Sequence, residues 1–390
     1  AAAVVRAGTP DVPGLPLVSV ADTLEAYGAL ARARRAELTR PVIAITGTNG
    51  KTSTKEMLAA VLRTRFRVHA TRANLNNLVG VPLTILEAPA ETEALVIEAG
   101  ANLPGEIARY REIIAPTVAV VTNVGAGHLE GFGSLEGVMA EKLALVRGVP
   151  LAVVGTEPEA LAERARTLAL RVVTAGLDGA DVVPDSVSVD ASGRATFSVD
   201  GQRVTLPLPG RHFAANAMLA WVVGRELGVD AGAAANALGS LRLPGGRSQL
   251  ERVAGLTVLN DCYNANPQSF ASVIETARAM REGRRLVFVA GTMRELGSDA
   301  ARLHADVARQ LVSLNPELLA AVGDFAPALA PYADALGERL ITAADPLALA
   351  PLLAARLRGD ELIVLKASRG VALERILPLL ASAPPSQPEA

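Results

Sequence analysis

A β-branched apolar run, Pro41-Val42-Ile43-Ala44-Ile45, leads directly into Thr46-Gly47-Thr48-Asn49-Gly50-Lys51-Thr52-Ser53-Thr54, and a helix-like stretch, Lys55-Glu56-Met57-Leu58-Ala59-Ala60-Val61-Leu62, follows. This order constrains the fold more than any other part of the chain. A strand that is apolar throughout has to be covered on both faces, which a parallel sheet flanked by helices provides. The glycine-rich turn between strand and helix points several backbone N–H groups at one spot, and the helix dipole adds partial positive charge there. Such a turn suits a phosphate. Gly47, Thr48, Asn49, Gly50 and Ser53 would surround it, Lys51 would reach the outer phosphates, and the Thr52 hydroxyl would hold Mg²⁺. The spacing departs from the usual pattern, because only two residues separate Gly47 from Gly50 and Ile45 stands where the first glycine normally falls. Simple turn chemistry with a helix cap is the alternative. It has to account at once for the strand, both glycines, the lysine and the flanking hydroxyls. A nucleoside triphosphate site is the expectation.

The chain has 390 residues, too many for one ordinary domain, and 50% of them are hydrophobic, enough for two or three cores. Aromatics are only 3%, which argues against stacking platforms for single-stranded nucleic acid. With a formal charge of −2 and no long basic run, no footprint for a phosphate backbone exists, so nucleic acid is not an expected partner. The single cysteine, Cys262, excludes an intramolecular disulfide and fits a reducing compartment. The four histidines show no HExxH spacing. No apolar stretch approaches the about 20 residues that span a bilayer, and the start lacks the form of a signal peptide. These features predict a cytoplasmic protein with no membrane insertion.

Apolar runs at 41–46, 66–70, 94–98, 117–122, 150–154 and 171–174 predict strands, with helical segments between most of them. Residues 186–208 alternate around Gly193 and Asp200-Gly201, as a small antiparallel meander would. A long helix is predicted over 212–228. Leu243-Pro244-Gly245-Gly246-Arg247 reads as a hinge. After it the β/α alternation restarts, with strands near 256–260, 286–290, 318–322 and 361–366. Residues 1–38 hold a short strand and an amphipathic helix over about 21–35, too little for a core. The Pro-rich end, 383–390, is expected to be disordered.

Downstream of the phosphate loop, polar residues recur at predicted strand ends, where open α/β sheets form clefts. Asn74, Asn76 and Asn77 follow one strand. Glu98 ends another, where a carboxylate can hold a metal or be merely an exposed acid. His128 lies past a third; a lone histidine is more often structural, yet convergence on the phosphates is favoured at a third such strand end. Lys142 sits on the next helix, and the residues alone give no reason to single it out.

Together 46–54, 74–82, 98–102, 128–134 and Asp261-Cys262-Tyr263-Asn264-Ala265-Asn266-Pro267 resemble the Mur ligase family, ATP-dependent amide-bond ligases of peptidoglycan precursor synthesis. Five blocks in order span nearly the whole chain. The blocks at 100–107, 128–134 and 263–267 point to the member that adds D-alanyl-D-alanine to UDP-N-acetylmuramoyl-tripeptide. The resemblance implies an α/β protein: a central P-loop ATPase domain over 39–245, with a mostly parallel sheet and the meander, then a Rossmann-like α/β ligase domain over 246–382. By the same resemblance 1–38 is the remnant of an N-terminal domain that grips the UDP end of the substrate.

Carried over residue by residue, Lys51, His128 and Lys142 would be catalytic, and Thr52, Glu98, His128 and Lys142 would serve two Mg²⁺ ions, Lys142 as a carbamate. Asn216 and Asn266 match positions on the adenine side, and Arg247 and Asp261 match positions near phosphate and ribose. Asn74, Asn76, Asn77, Asn264, Lys366, Ser368 and Arg369 would face substrate. Closure about the hinge would assemble the site, and a monomer is implied. The family pattern expects Asp where Thr292 stands, which leaves Glu295 as the nearby acid. Two other readings remain: a Mur-type or folylpolyglutamate-type ligase adding a single amino acid, or an ATP-binding module without catalysis.

Overall fold

A computed structural model describes residues 2–38, 41–243 and 245–381; Pro244 of the expected hinge and the expected tail 383–390 lie outside the described residues. Two compact units form. One comprises Ala1–Val124, Met139–Val182 and Leu219–Ala234, the other Gly125–Val138, Val183–Met218 and Ala235–Ala390.

The first unit opens with a two-stranded parallel pair, β1 (Ala3–Arg6) and β2 (Leu17–Val20), then the helix Thr23–Ala36. Its main sheet contains β3 (Val42–Thr46), β4 (Val68–Ala70), β5 (Ala94–Glu98), β6 (Val118–Val121), β7 (Leu151–Val154) and β8 (Val172–Thr174). They run parallel in the order β4-β5-β3-β6-β7-β8, so each apolar run predicted as a strand is one. All residues of β3, β5 and β6 are buried, as double coverage of a parallel sheet demands. Ile45 stands opposite Glu98 and Thr46 opposite Val121, so the ends of three adjacent strands open on one edge. The helix Lys51–Arg63 starts there, after Gly50 in the left-handed region (φ 77°).

In the second unit β9 (Ser186–Val189), β10 (Arg194–Val199) and β11 (Gln202–Pro209) form the expected antiparallel meander. A second six-stranded sheet is built from β12 (Gln249–Val253), β13 (Leu256–Asp261), β14 (Leu286–Ala290), β15 (Leu318–Val322), β16 (Leu340–Ala343) and β17 (Leu362–Lys366). Its order is β12-β13-β17-β14-β15-β16, parallel except for the β12 edge. Val258, Val287, Val289, Ile363 and Leu365 form the centre of one face's core. The sequence reading did not anticipate β2, β12 or β16. Among the described residues no helix is long and apolar enough to cross a membrane.

Within the first unit Arg35 fastens the N-terminal helix to the end of another helix. Its guanidinium donates to the carbonyls of Ile114 (2.7 Å), Leu38 (2.6 Å) and Ala115 (2.8 Å). Helix ends leave carbonyls without partners, and a buried arginine satisfies several at once. Replacing Arg35 with Met keeps the apolar stem and orphans those carbonyls. We expect a loss on the order of 3 kcal/mol, from charge-assisted hydrogen bonds worth about 1.5–3 kcal/mol each offset by solvent access, read as a lower urea midpoint at unchanged slope.

Candidate active site

The loop after β3 is held from the side by the end of β6. Asn123 accepts from Thr48 N with its carbonyl (3.0 Å) and from Asn49 N with its side chain (2.9 Å), and the Thr122 hydroxyl donates to the Asn49 carbonyl (2.5 Å). Gly47, at φ 143°, allows this close approach: a Cβ there would lie 2.0 Å from Thr122 Oγ1. Lys51 lies over the loop, its ammonium donating to the carbonyls of Gly47 (2.7 Å) and Thr48 (3.0 Å).

At the end of β5, Glu98 is buried. The Thr52 hydroxyl (3.1 Å) and the Asn76 amide (2.8 Å) both donate to its Oε1, while Oε2 is buried without a hydrogen-bond partner. An orphaned carboxylate oxygen in a buried position is costly unless a cation or donor meets it. That oxygen, beside the threonine hydroxyl at the head of a phosphate loop, is the donor set a hard divalent cation takes. Of the three asparagines expected near substrate, only Asn76 reaches this carboxylate. Asn77 Oδ1 accepts from Val79 N and Gly80 N just ahead of the helix Gly80–Leu86, and Asn74 is exposed.

Lys142, on the helix Leu135–Leu143, is buried. Burial first, and the positive charge of Lys51 second, lower its pKa to about 7, against the opposing pull of Glu141 and Glu106. Glu141 is spent on the start of the helix Glu106–Ile114, accepting from Gly105 N (2.8 Å) and Ile107 N (2.7 Å).

His128 lies in the second unit, in the left-handed region (φ 55°). Its Nδ1 is 2.5 Å from Glu295 Oε2, and the histidine holds that carboxyl below its ordinary pKa. This is the acid whose role the sequence left open. A carboxylate on one ring nitrogen fixes the ring and leaves Nε2 for another partner. Thr292, where an acid was expected, instead accepts from Asp324 N (2.9 Å) with its hydroxyl.

At the other candidate positions, Lys366 is buried and paired with Asp261 (2.7 Å), and it also donates to the carbonyl of Asn264. Asp261 accepts from Ser248 N (2.9 Å) through its other oxygen. Arg247 stacks on the Tyr263 ring, 3.6 Å from its centre. Asn266 caps the helix Pro267–Arg281 in a reciprocal pair with Ser269, and Asn216 is buried on the helix His212–Glu226. Ser368 Oγ accepts from Arg294 N (2.9 Å), and Arg369, exposed, pairs with Glu374. Among the described residues no group of three or more His, Cys, Asp or Glu side chains converges as a metal cage. Sequence reasoning passed over His212, whose pKa burial lowers to about 4, with Asp261 opposing and Lys366 reinforcing the shift. It also passed over Asn123, although an Asn directly after an apolar strand is the signal that marked Asn74–Asn77.

Two family models match the chain: the Mur ligase middle domain over residues 45–224, and the Mur ligase, glutamate ligase domain over 246–369. UDP-N-acetylmuramoyl-tripeptide–D-alanyl-D-alanine ligase of Bacillus subtilis (strain 168) is 33% identical over 380 residues, covering 94% of this chain and 82% of the relative. Among solved structures, MurF from Acinetobacter baumannii superposes with a TM-score of 0.87 at 30% identity, covering 96% of this chain and 83% of that one. MurF ligase from Thermotoga maritima in complex with ADP gives 0.83 at 28% identity, covering 97% and 88%.

The Asp261–Lys366 pair yields a stability test. Asp261→Asn leaves the buried ammonium without its counter-charge, and breaking such a pair costs about 3–5 kcal/mol when fully buried. Because Asp261 keeps some solvent contact, we expect about 3 kcal/mol. The D261N/K366M double variant should recover part of that loss in a double-mutant denaturation cycle.

Proposed function

Because the chain belongs to the Mur ligase family, we propose that it joins D-alanyl-D-alanine to UDP-N-acetylmuramoyl-tripeptide at the expense of ATP, in peptidoglycan precursor synthesis. The observation that carries the reading is the orphaned Oε2 of Glu98, beside the Thr52 hydroxyl at the head of the phosphate loop. The relative from Bacillus subtilis bears this activity in its name, and a Thermotoga maritima neighbour was solved with ADP.

A carboxylate is a poor electrophile. The tripeptide's terminal carboxylate oxygen attacks the γ-phosphorus of ATP, and ADP leaves, giving an acyl phosphate. The amine of D-alanyl-D-alanine then attacks the acyl carbon, the amide forms, and phosphate and a proton leave. Two anions meet in the first step. Lys51, freed from the carbonyls of Gly47 and Thr48, would swing to the γ-phosphate and offset their repulsion. The backbone N–H groups of 47–53 would hold the other phosphates. Glu98 and Thr52 would hold Mg²⁺, with His128 and Lys142 as further ligands; bound there, the ion would neutralise phosphate charge. The Glu295 pairing would keep His128 oriented with Nε2 available. Arg247, Asp261, Asn216 and Asn266 would serve the nucleotide, and Asn76, Asn264, Lys366, Ser368 and Arg369 the peptide ends.

Lys142 would carry a carbamate. With its pKa at about 7, the amine is mostly neutral above that pH, and its lone pair can attack CO₂, forming an N–C bond and releasing a proton. The product replaces a repulsion between two lysines with an attraction. We assign the central domain to 39–245 and the ligase domain to 246–382, a division supported by family matches that stop at 224 and resume at 246. The use of ATP and a UDP-linked substrate supports a cytoplasmic location, and the family resemblance supports a monomer.

Phosphate release should require both the UDP-tripeptide and D-alanyl-D-alanine. Release that needs neither would overturn the ligase reading, and no release at all would favour a non-catalytic ATP-binding module. Lys51→Ala should lower kcat by about a thousandfold or more, as loss of a phosphoryl-transfer charge does. In protein equilibrated with ¹³C-bicarbonate at pH 8, a carbamate ¹³C resonance should appear, weaken as the pH falls below about 7, and vanish in Lys142→Arg. Its absence at pH 8 would reject the modification.

A further inference from the structure

We propose that the second unit carries an anion site for a small phosphate-bearing molecule, at the edge of its sheet remote from Asp261 and Lys366. A cavity of about 380 Å³ opens there, lined by Arg281, Arg285, Arg339 and Arg358 with Glu317 as the one lining carboxylate. Its placement follows from the topology. Arg285 directly precedes β14, Glu317 precedes β15, Arg339 precedes β16, and the turn bearing Arg358 precedes β17, and these four strands are adjacent and parallel in the order β17-β14-β15-β16. Their N-terminal ends therefore gather three guanidinium groups on one edge, and Arg281, at the end of the helix Pro267–Arg281, adds a fourth, whereas Lys366 and Asp261 stand at C-terminal strand ends.

A structural explanation covers only half of this cluster. Arg281 pairs with Glu317 (2.6 Å) and donates to the carbonyls of Leu314 and Asn315 at the end of the helix Ala300–Leu314. Arg339 donates to Asn315 Oδ1 (2.6 Å). Those two are accounted for by capping and ion pairing. Arg285 and Arg358 are less fully engaged. Arg285 forms a long ion pair with the buried Glu361 (3.6 Å), and its Nε is buried without a hydrogen-bond partner. Glu361 is already engaged, accepting from the backbone N–H of Arg358 (2.7 Å) and of Gly359 (2.9 Å), which shapes the turn. The Arg358 side chain makes no hydrogen bond or ion pair among the described residues.

Like charges gathered around a hollow repel one another, and an anion in the hollow reverses that term. A guanidinium presents paired donors that match two phosphate oxygens, so a phosphate group uses the spare donors of Arg285 and Arg358 more fully than a halide would. The volume lies near the lower end of small-molecule sites, roughly 300–1,000 Å³. A small, open arginine cluster with no aromatic lining favours a compact di- or polyanion over a nucleic-acid strand.

The test is calorimetric titration of the full chain with inorganic pyrophosphate in metal-free buffer. Five proteins are compared: the unaltered chain, K51A, R358A, K51A/R358A and K51A/R285A/R358A. K51A removes the phosphate-loop lysine, so binding that survives in it reports on the second site. We expect saturable binding in K51A, weakened at least tenfold when R358A or R285A/R358A is combined with it, and further weakened by added salt. R358A removes an exposed side chain and should leave the thermal midpoint unchanged, so it decides the matter if the double variant folds poorly. Absence of saturable binding in K51A would overturn the proposal, as would affinity unaltered by R358A.

Discussion

The central position of β3 between two parallel neighbours is the constraint on which the candidate site depends. Val42–Thr46 pairs with β5 on one side and β6 on the other, all three buried along their full length. Because they run in one direction and in close register, whatever follows each strand emerges at one edge. After β3 comes the glycine loop, β5 ends in Glu98, and β6 is followed by Thr122-Asn123. The hydrogen bonds that shape the loop come from the β6 side, and the carboxylate that meets Thr52 comes from the β5 side. A shift of one residue in either register would turn Glu98 to the opposite face and take the loop away from Asn123.

That arrangement asks the protein to bury charge, and it does so in two physically different ways. Glu98 keeps one oxygen satisfied by neutral donors and the other without a partner, an arrangement that costs stability until a cation arrives. Asp261 and Lys366 instead neutralise each other, with main-chain groups occupying what remains of their hydrogen-bonding capacity. The first is a vacancy in the chemistry and suits binding. The second is closed and suits the fixing of a strand end. The neighbouring His212 fits the closed arrangement, since its burial and the lysine's charge both favour the neutral ring.

Much of this was legible because the phosphate loop and its neighbouring strands obey local rules. Continuous apolar runs identified β3 through β8, and alternation around Gly193 and Gly201 identified the meander. β12 escaped because Gln-Leu-Glu-Arg-Val is half polar and exposed; it becomes a strand through antiparallel pairing with β13, a non-local contact. β16 escaped because four residues between short helical turns carry too little periodicity, and its order comes from β15. The burial of Lys142 could not be read either. A lysine on a helix looks solvated in sequence, and only the packed helix shows that its amine is enclosed and faces the charge of Lys51. Asn266 illustrates the reverse. Its place in a nucleotide-like block was visible, but its pairing with Ser269 to start a helix required the backbone to be seen.

Lys142 and Lys366 are both buried, yet only one has the surroundings for chemistry at its amine. Lys366 has a carboxylate at 2.7 Å and two main-chain carbonyls within donating distance, so its three donors all have acceptors. Around Lys142, Glu141 is committed to two backbone N–H groups, and the charge of Lys51 adds to the effect of burial while Glu141 and Glu106 oppose it. Burial and Lys51 outweigh the two carboxylates, and the neutral amine becomes accessible near physiological pH. A nucleophilic or carbamate-forming lysine needs that neutral form. The surroundings of Lys366 differ in that the enclosing groups include a close negative charge, which offsets the cost of its burial.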